Sequence, residues 1–386
     1  MARVTRGTTP KNSRSGPYPM EKLRKGDKPT TVISENIARF DERQHGFARA
    51  GRGELGPVPQ REMARFVPKY PLGGTFARMT ASLAPVVDGE VASSRAPLPE
   101  DPVALSQHIK QLGYFLRADI VGICRLPQYA VYSHDFSGKE VKLGHKNAIA
   151  LVIDQDYRTM LGSTGDDWIS SSQSFVGYSN TAFIACMMAD YIRRLGYPAR
   201  AHHAMNYQVL VVPLLVLAGI GELSRAGIAL NPFLGTRFKA AIVTTDLPLE
   251  PDRPVDFGLQ EFCRVCLKCA DQCHAQAISF EGKVMVNGYE KWQFDAERCS
   301  KFRITNPHGS ACGRCIKVCP WNKPAGRTHD LARWMVKNTP FMDRLLVRMD
   351  DIRGYGRQDT RFKWWFDLED AEGTIKIPEK QARYAD

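Results

Sequence analysis

The sequence has no long hydrophobic run. Its longest apolar stretch covers thirteen residues, from Val209 to Gly221, and Pro213 interrupts it. A helix that crosses a bilayer needs about 20 consecutive apolar residues, so this stretch predicts a buried core element. The phosphate-binding pattern G-x4-G-K-[ST] is absent, and a dinucleotide-like stretch that begins at Gly219 lacks its third glycine. These absences argue against a membrane span, a P-loop and NAD binding.

The chain has an excess of positive charge that is unevenly distributed. Its 386 residues include 53 Lys and Arg against 41 Asp and Glu, a formal net charge of +12. Residues 1–30 hold eight basic and two acidic residues, which is half of that excess. This segment has no apolar centre, so it does not resemble a secretory signal, and the Arg193-Arg194 pair lies too deep to be a twin-arginine signal. We therefore expect a cytoplasmic protein with an acidic partner, either an electron-donor protein or nucleic acid.

Cysteine is scarce in the first two-thirds of the chain, where Cys124 and Cys186 lie in apolar stretches that predict buried thiols. The other eight of the ten cysteines lie between residues 263 and 319. They form two similar blocks, C-x2-C-x2-C-x3-C and C-x12-C-x2-C-x3-C-P. Clustered cysteines in a cytosolic chain indicate metal binding rather than disulfides. A pair of zinc sites is the alternative to iron–sulfur clusters, but zinc sites use isolated C-x2-C pairs.

The x2-x2-x3 spacing is typical of the two-cluster bacterial ferredoxin. Three closely spaced cysteines wrap one cubane, and the fourth cysteine of each block reaches the other cubane. We therefore predict two 4Fe–4S clusters, one held by Cys263, Cys266, Cys269 and Cys319 and the other by Cys273, Cys299, Cys312 and Cys315. His274 replaces the proline that usually follows the fourth cysteine. The insert after Cys299 is expected to be a loop that carries Lys301, Arg303 and His308.

Outside the cysteine blocks, β-rich runs and helical patterns mingle, which favours an α/β or an α+β sandwich, and of these we predict an α+β fold. Asp101 is a candidate helix N-cap, and Gly196 is expected to end a long helix. Residues 31–95 are rich in Pro, Gly and Arg and predict irregular structure. The predicted helices are Pro102–Gly113, Gln173–Leu195, Leu331–Asn338 and Phe341–Met349, and the predicted buried strands are Ile120–Cys124, Ala148–Ile153 and Phe238–Thr245.

Four stretches upstream of the cysteines, together with Cys319-Pro320-Trp321, resemble the corrinoid-dependent reductive dehalogenases of the soluble, non-exported type. These stretches are Arg193–Tyr197, Ala218–Glu222, Asn231–Lys239 and Thr244–Leu249. The resemblance implies a nitroreductase-like core that holds a corrinoid, cobalamin, in its base-off form beside a two-cluster ferredoxin module. None of the nine His has an Asp two positions before it, so the pattern DxHxxG is absent and no protein ligand on cobalt is expected.

On this basis we expect four segments. Residues 1–95 form a basic, largely irregular N-terminal segment that packs on the core. Residues 96–257 form the corrinoid-binding core, and residues 258–325 form the ferredoxin-like module with two 4Fe–4S clusters. Residues 326–386 supply C-terminal helices and a tail that close the core.

The same resemblance assigns roles to four residues. Tyr178, at the start of the long helix, is the expected proton donor, and a neighbouring cation stabilises its phenolate, because a phenol ordinarily titrates near ~10. Lys239 is the favoured cation and Arg237 the alternative, while Asn206 is a further polar residue of the pocket. Each residue also has a structural alternative. Tyr178 could be a packing residue, and Lys239 and Arg237 could contact the corrinoid or solvent. Asn206 could cap a helix. His202-His203 is expected to face solvent or a corrinoid side chain.

The resemblance implies that the protein removes halide reductively from a small organohalide. Electrons pass through the two 4Fe–4S clusters to a corrinoid that is reduced to Co(I). The chain shows no fused reductase module, which implies a separate, acidic, low-potential donor of the ferredoxin or flavodoxin type. One alternative is an epoxyqueuosine reductase-like enzyme that acts on tRNA, and the other is a non-catalytic corrinoid or iron–sulfur electron carrier. Epoxyqueuosine reductases have a catalytic Asp in the neighbourhood of Asn206, so nucleic acid is not the expected partner.

Overall fold

A mixed fold of helices and antiparallel strands is seen in the computed structural model, which describes residues 16–67, 71–163, 165, 168–307, 311–359, 361–362, 369–371 and 374–376. Its helices are α1 (Gly46–Gly51), α2 (Pro57–Met63), α3 (Pro71–Ala81), α4 (Pro102–Phe115), α5 (Tyr157–Gly162), α6 (Trp168–Arg194), α7 (Val211–Leu217), α8 (Leu259–Val265), α9 (Lys268–Asp271), α10 (Ala296–Thr305), α11 (Arg314–Lys317), α12 (Arg327–Asn338) and α13 (Asp343–Ile352). Its strands are β1 (Ile120–Arg125), β2 (Asn147–Asp154), β3 (Ala199–His202), β4 (Glu222–Leu223), β5 (Ala229–Leu230), β6 (Phe238–Thr245), β7 (Ile278–Val286), β8 (Tyr289–Phe294), β9 (Glu369–Ala371) and β10 (Thr374–Lys376).

Strands β1, β2, β6 and β3 form one antiparallel sheet, in that order. Alternate residues of a strand point to opposite faces, and here both faces are buried. On β2, Ile149 and Leu151 enter one hydrophobic core, whereas Ala148 and Ala150 enter the other. Because neither face meets water, the strands are continuous apolar runs in the sequence. The three strands predicted from such runs are confirmed.

Helices α4 and α6 cover one face of the sheet, where Ile109 of α4 and Met188 of α6 are fully buried. As predicted, the side chain of Asp101 caps α4 by accepting a hydrogen bond from the Val103 backbone N–H. Helix α6 begins five residues before the predicted start, in a serine-rich stretch whose helix propensity is weak. It ends just before Gly196, which has the positive φ of 86° expected of a helix-ending glycine.

Helix α7 covers the other face, and the apolar stretch around it is buried in the second core. The expectation of a core element is therefore confirmed. In the part of the chain that the structure describes, no helix is both long enough and apolar enough to cross a membrane. Cys124 and Cys186 are buried thiols, as predicted.

The N-terminal region contains three helices where the composition predicted irregular structure, so that prediction is wrong for α1, α2 and α3. Ala50, Leu55 and Phe66 form a small core with Ile304 of α10. Helix α3 packs on α6, where Thr80 Oγ1 lies 2.8 Å from Ser179 Oγ. Helices this short gain their stability from tertiary contacts rather than from their own periodicity.

The cysteine-rich region combines α8 to α11 with the β7–β8 hairpin. The expected loop after Cys299 is wrong in its first part, because Cys299, Lys301 and Arg303 all lie on α10. The side chain of Asp295 caps this helix by accepting a hydrogen bond from the backbone of Arg298. The structure does not describe residue 308, the histidine of the expected loop.

Two C-terminal helices lie against the cysteine-rich region. Helices α12 and α13 correspond to the two predicted helices, with α12 beginning four residues earlier and α13 two residues later than expected. Pro340 opens a short turn of 3-10 helix between them, which agrees with its expected role as a break. Val336 of α12 and Leu346 of α13 pack in one core with Phe262 of α8.

Candidate functional site

The eight clustered cysteines lie on and between the short helices of the cysteine-rich region. Cys263 lies on α8, Cys269 on α9, Cys299 on α10 and Cys315 on α11, and Cys266, Cys273, Cys312 and Cys319 lie beside these helices. Cys312 has a positive φ of 30°, a backbone conformation that turns the chain sharply into α11. Short helices and tight turns therefore bring together thiols from 57 residues of sequence, 263–319.

Electrostatic contacts place four of these thiols in one set. Cys263 and Cys266 both interact with Cys319, and Cys269 interacts with all three. The spacing of the cysteines predicts the same four residues as ligands of the first cluster. Cys319 is far from the other three in sequence, so only the fold brings it to them.

The remaining four thiols form a second set. Cys312 and Cys315 each interact with Cys299 and Cys273. The two sets approach each other where Cys315 interacts with Cys269. The interleaved grouping is the one that the ferredoxin-like spacing predicts, and the fourth cysteine of each block faces the other block.

A small cavity lies between the core and the first thiol set. Its lining includes all four thiols of that set, Cys263, Cys266, Cys269 and Cys319. Thr236 and Trp321 also line it, and the buried Thr236 Oγ1 and Trp321 Nε1 have no hydrogen-bond partner in the described structure. Sulfur atoms of an iron–sulfur cluster accept hydrogen bonds from such donors. The donor set and the unpaired donors both fit a cluster in this cavity.

Burial keeps the thiols protonated in the absence of a metal. It raises the pKa of Cys266 to about 12 and that of Cys319 to about 11. A cysteine must lose its proton to bind iron, so metal binding has to supply the charge stabilisation that burial removes. Within the described residues, no three His, Cys, Asp or Glu side chains are close enough to hold a single metal ion. A cubane instead binds each thiolate at a separate iron.

Tyr178 and Lys239 meet where α6 packs on β6. The Lys239 Nζ atom lies 5.1 Å from the centroid of the Tyr178 ring. The helix and strand approach closely because residue 177 is glycine, and a Cβ at Gly177 would lie 2.9 Å from Lys239 Cγ. Tyr207 also interacts with Tyr178, and burial is the main cause that raises the pKa of Tyr207. The structure therefore brings together the predicted phenol and the favoured cation.

Arg237 makes a different set of contacts. Its Nε donates to Asp154 Oδ1 at 2.7 Å and its Nη2 donates to Asp154 Oδ2 at 3.1 Å. Its Nη1 donates to Asn322 Oδ1 at 2.7 Å. The side chain is only 4% exposed. Because this guanidinium is held by a bidentate ion pair and an amide, the geometry favours Lys239 as the cation beside Tyr178.

Asn206 belongs to a polar cluster with Arg200 and Asp88. The Arg200 Nη2 atom donates to Asn206 Oδ1 at 2.6 Å, and Arg200 Nε pairs with Asp88 at 3.0 Å. The next helix, α7, begins further along the chain and is not capped by a side chain, so the helix-cap alternative for Asn206 is wrong. Asn206 precedes Tyr207, which places it in the neighbourhood of Tyr178.

His202 and His203 are both fully buried, so the expectation that they face solvent is wrong. His202 Nε2 bonds to Thr244 Oγ1 at 2.9 Å, and its Nδ1 accepts a hydrogen bond from the Gln208 backbone at 3.2 Å. Burial lowers the pKa of His202 well below its usual value, so this ring is neutral. His203 Nε2 has no partner in the described structure. An unpaired buried nitrogen is costly, and a bound group would relieve that cost.

A second cavity, of about 300 Å³, lies between α12, α13 and the segment that follows Cys319. Its walls are mainly apolar, and Phe262 and Trp321 line both cavities. Neither Tyr178 nor Lys239 lines this second cavity. Although it is the larger space, it is not the place where the phenol and the ammonium group meet.

Sequence analysis missed two charged features of the first thiol set. Arg225 lines the smaller cavity and is fully buried. Asp350 of α13 pairs with Lys268 and with Lys323, the latter at 2.8 Å, and so ties α13 to the cysteine-rich region. Their partners are remote in the sequence, so no local pattern in the chain could have identified either feature.

Comparisons with known proteins agree with this geometry. Residues 262–323 match the family described as 4Fe-4S dicluster domain. A tetrachloroethene reductive dehalogenase from Desulfitobacterium hafniense is 40% identical over 221 residues, which cover 54% of this chain and 39% of that protein. The enzyme of the same description from Sulfurospirillum multivorans is 31% identical over 309 residues, which cover 70% of this chain and 61% of that protein.

Solved structures give the same result over more of the chain. A catabolic reductive dehalogenase is 42% identical, with a TM-score of 0.90 over 95% of this chain and 54% of that one. The Escherichia coli epoxyqueuosine reductase is 24% identical over 159 residues, which cover 36% of this chain and 38% of that protein. The chain thus spans between 38% and 61% of the length of these four proteins. It is a homologue of the reductive dehalogenases and a more distant relative of epoxyqueuosine reductase.

Proposed function

We propose that the chain is a reductive dehalogenase that removes halide from a small organohalide. In this proposal the core has the nitroreductase-like arrangement and binds a base-off corrinoid, and the cysteine-rich region carries two 4Fe–4S clusters. When bound, the clusters would carry single electrons and the corrinoid would supply the reductant for the carbon–halogen bond. The residues of the chain then bind the substrate, deliver a proton and stabilise charge.

The contact between Lys239 and Tyr178 carries this proposal. Replacing a halogen by hydrogen consumes two electrons and one proton and releases one halide ion. The Tyr178 hydroxyl donates that proton, and the Lys239 ammonium group stabilises the phenolate that remains. An isolated tyrosine in a core has no such partner.

Asn206 and Arg237 support the pair in different ways. Arg200 donates to the Asn206 side-chain oxygen and so fixes the orientation of the amide. The NH2 group of Asn206 then remains as a donor for the substrate or the departing halide. Arg237 lies two residues before Lys239 and ties the start of β6 to Asp154 on β2. We assign it a positioning role.

The first thiol set adjoins the core, since Thr236 lines the same cavity as its four cysteines. We propose that Cys263, Cys266, Cys269 and Cys319 hold the cluster that passes electrons to the core. The second set, Cys273, Cys299, Cys312 and Cys315, then holds the cluster that receives them, and the Cys269–Cys315 contact links the two. A separate low-potential, acidic ferredoxin or flavodoxin would suit the net charge of +12.

Halogenated aromatic acids are the first substrates to test. A solved dehalogenase that is 42% identical to this chain, with a TM-score of 0.90, was obtained in complex with 3-bromo-4-hydroxybenzoic acid. The comparison supports an aromatic organohalide as a substrate class for this chain, with tetrachloroethene as the aliphatic alternative suggested by the curated relatives.

Anaerobic reconstitution tests the proposal. The full chain is loaded with iron, sulfide and cobalamin, and metal analysis is expected to find roughly eight iron and one cobalt per chain. Halide release from both substrates is then measured with a low-potential chemical reductant. Zinc in place of iron, or failure to bind cobalamin, would contradict the proposed function. Conversion of epoxyqueuosine tRNA would favour an epoxyqueuosine reductase activity instead.

The variant Tyr178→Phe tests the proton donor. Removing a general acid typically costs about 100-fold to 10,000-fold in rate, so turnover should fall by at least about 100-fold while iron and cobalt are retained. Tyr191→Phe is the matched control, because Tyr191 lies on the same helix but its hydroxyl bonds to His108 at 2.8 Å. If Tyr178→Phe releases halide as fast as the parent, the assignment is wrong.

A further inference from the structure

Arg225 is a buried cation at the boundary between the core and the cysteine-rich region. It lies in the tight turn between β4 and β5 and is only 2% exposed. Its guanidinium donates to four backbone carbonyl oxygens: Nε to Cys263 at 3.0 Å, Nη1 to Ser279 at 2.7 Å and to Glu281 at 3.2 Å, and Nη2 to Arg264 at 3.4 Å. Carbonyl oxygens are uncharged, so these bonds satisfy the donors, but no carboxylate in the described part of the chain forms an ion pair with Arg225.

The surroundings of Arg225 show where such a partner belongs. The guanidinium carbon lies 4.8 Å from the centroid of the Trp292 ring, which covers one of its faces. Arg225 also lines the small cavity that the four cysteines of the first thiol set share. The cavity is thus the place for a counter-charge.

We propose that Arg225 is the charge partner of the cluster held by Cys263, Cys266, Cys269 and Cys319, and that it raises the reduction potential of that cluster. The inference rests on the proposed function and deepens it. Four thiolates outweigh the positive charge of an oxidised cubane, so the loaded cluster is an anion. When it accepts one electron from a ferredoxin-type donor, its negative charge grows, and a nearby cation favours that reduced form.

Charge and hydrogen bonding can be separated at this position. A lysine keeps the positive charge, but it is a point donor and cannot reach four carbonyls as the planar guanidinium does. A glutamine keeps part of the hydrogen bonding and loses the charge. If Arg225 acts through its charge, the lysine variant should keep the reduction potential of the parent and the glutamine variant should not. If Arg225 acts only through its hydrogen bonds, the lysine variant should change the potential at least as much as the glutamine variant.

The experiment is a redox titration of the anaerobically reconstituted full chain, followed by electron paramagnetic resonance. In Arg225→Gln, the midpoint potential of one cluster should fall while that of the other changes less. Arg225→Lys should stay close to the parent. Lys283→Gln is the matched control, because Lys283 Nζ lies 4.8 Å from the same Trp292 ring but does not line the cavity. All four proteins should contain the same amount of iron.

Several outcomes overturn the inference. If Arg225→Gln retains all its iron and its midpoint potentials are unchanged, the charge of Arg225 does not affect the cluster. If Lys283→Gln shifts the midpoint potential by the same amount as Arg225→Gln, the effect is not specific to Arg225. If Arg225→Gln loses iron, Arg225→Lys decides: a potential close to that of the parent supports the proposal, and one far below it overturns it. A parent chain that binds no iron would overturn the proposed function itself.

Discussion

Replacing Arg237 with methionine should destabilise the core without removing Lys239, the cation proposed to act beside Tyr178. The ion pair between Arg237 and Asp154 has side-chain exposures of only 4% and 20%. Methionine is similar in length, so the change removes the charge and the hydrogen bonds while it keeps most of the packing. Asp154 then remains as a carboxylate without its bidentate partner.

The size of the effect follows from burial and geometry. Breaking a buried ion pair by removing one partner costs about 3–5 kcal/mol. Because water reaches part of Asp154, we expect the lower end, about 3 kcal/mol, with about 1 kcal/mol more for the lost bond to Asn322. In the double variant Arg237→Met with Asp154→Asn, neither charge is left unpaired. The double variant should therefore be more stable than the sum of the single effects by about 2 kcal/mol.

Unfolding and turnover must be measured on the same preparations. Thermal unfolding followed by circular dichroism gives the order of stability, and halide release is measured well below the transition. Arg237→Met should unfold at a lower temperature but keep turnover within about tenfold of the parent, whereas Lys239→Met should lose about 100-fold without a comparable loss of stability. An Arg237→Met protein that unfolds at the temperature of the parent and releases no halide would refute this reasoning.

Two further predictions concern other positions. Gly177→Ala places a Cβ 2.9 Å from Lys239 Cγ, so it should displace the ammonium group and lower turnover, with a loss of about 1–3 kcal/mol in stability; Gly282→Ala, where nothing lies within 4 Å, is the control. Burial raises the pKa of Asp343 to about 6. This group therefore contributes most to stability below its unfolded pKa of about 4, and that contribution is lost as the pH rises through 6. Asp343→Asn should raise the thermal midpoint by a few degrees near neutral pH and have little effect near pH ~4, and an equal gain at both would contradict the assignment.

The cysteine sets could be predicted from sequence because their geometry is largely local. Thiols that are two or three residues apart on a tight turn have few ways to surround a cluster, so the spacing itself carries the information. The placement of Cys319, Cys273 and Cys299 depends on the wider fold. The central strands were also predictable from local sequence. Because both faces of the sheet are buried, each strand is a continuous apolar run.

The choice between Arg237 and Lys239 could not be made from sequence. Residues two apart on an ideal strand share a face, so both were candidates. In the structure, β6 begins at Phe238, and Arg237 lies before the strand, where it bonds to Asn322 rather than following the strand alternation. The asparagine is 85 positions away in the chain, and Asp154 is 83 positions away, so no local pattern could report the contact. The helices of the N-terminal region were not predicted, because they are stabilised by packing on α6 and α10, which are distant in the sequence.

One short stretch of the core connects the two halves of the proposed chemistry. Arg225, near its start, bonds to the Cys263 carbonyl in the first cysteine block, and Arg237, near its end, bonds to Asn322 just after Cys319. Arg225 therefore contacts the first thiol set near Cys263, and Arg237 contacts it near Cys319. Two residues later, Lys239 contacts the ring of Tyr178. Because these contacts share one segment, a shift of the cysteine-rich region would also move the start of β6. The proposed electron source and the proposed proton donor would then keep a fixed relation to each other.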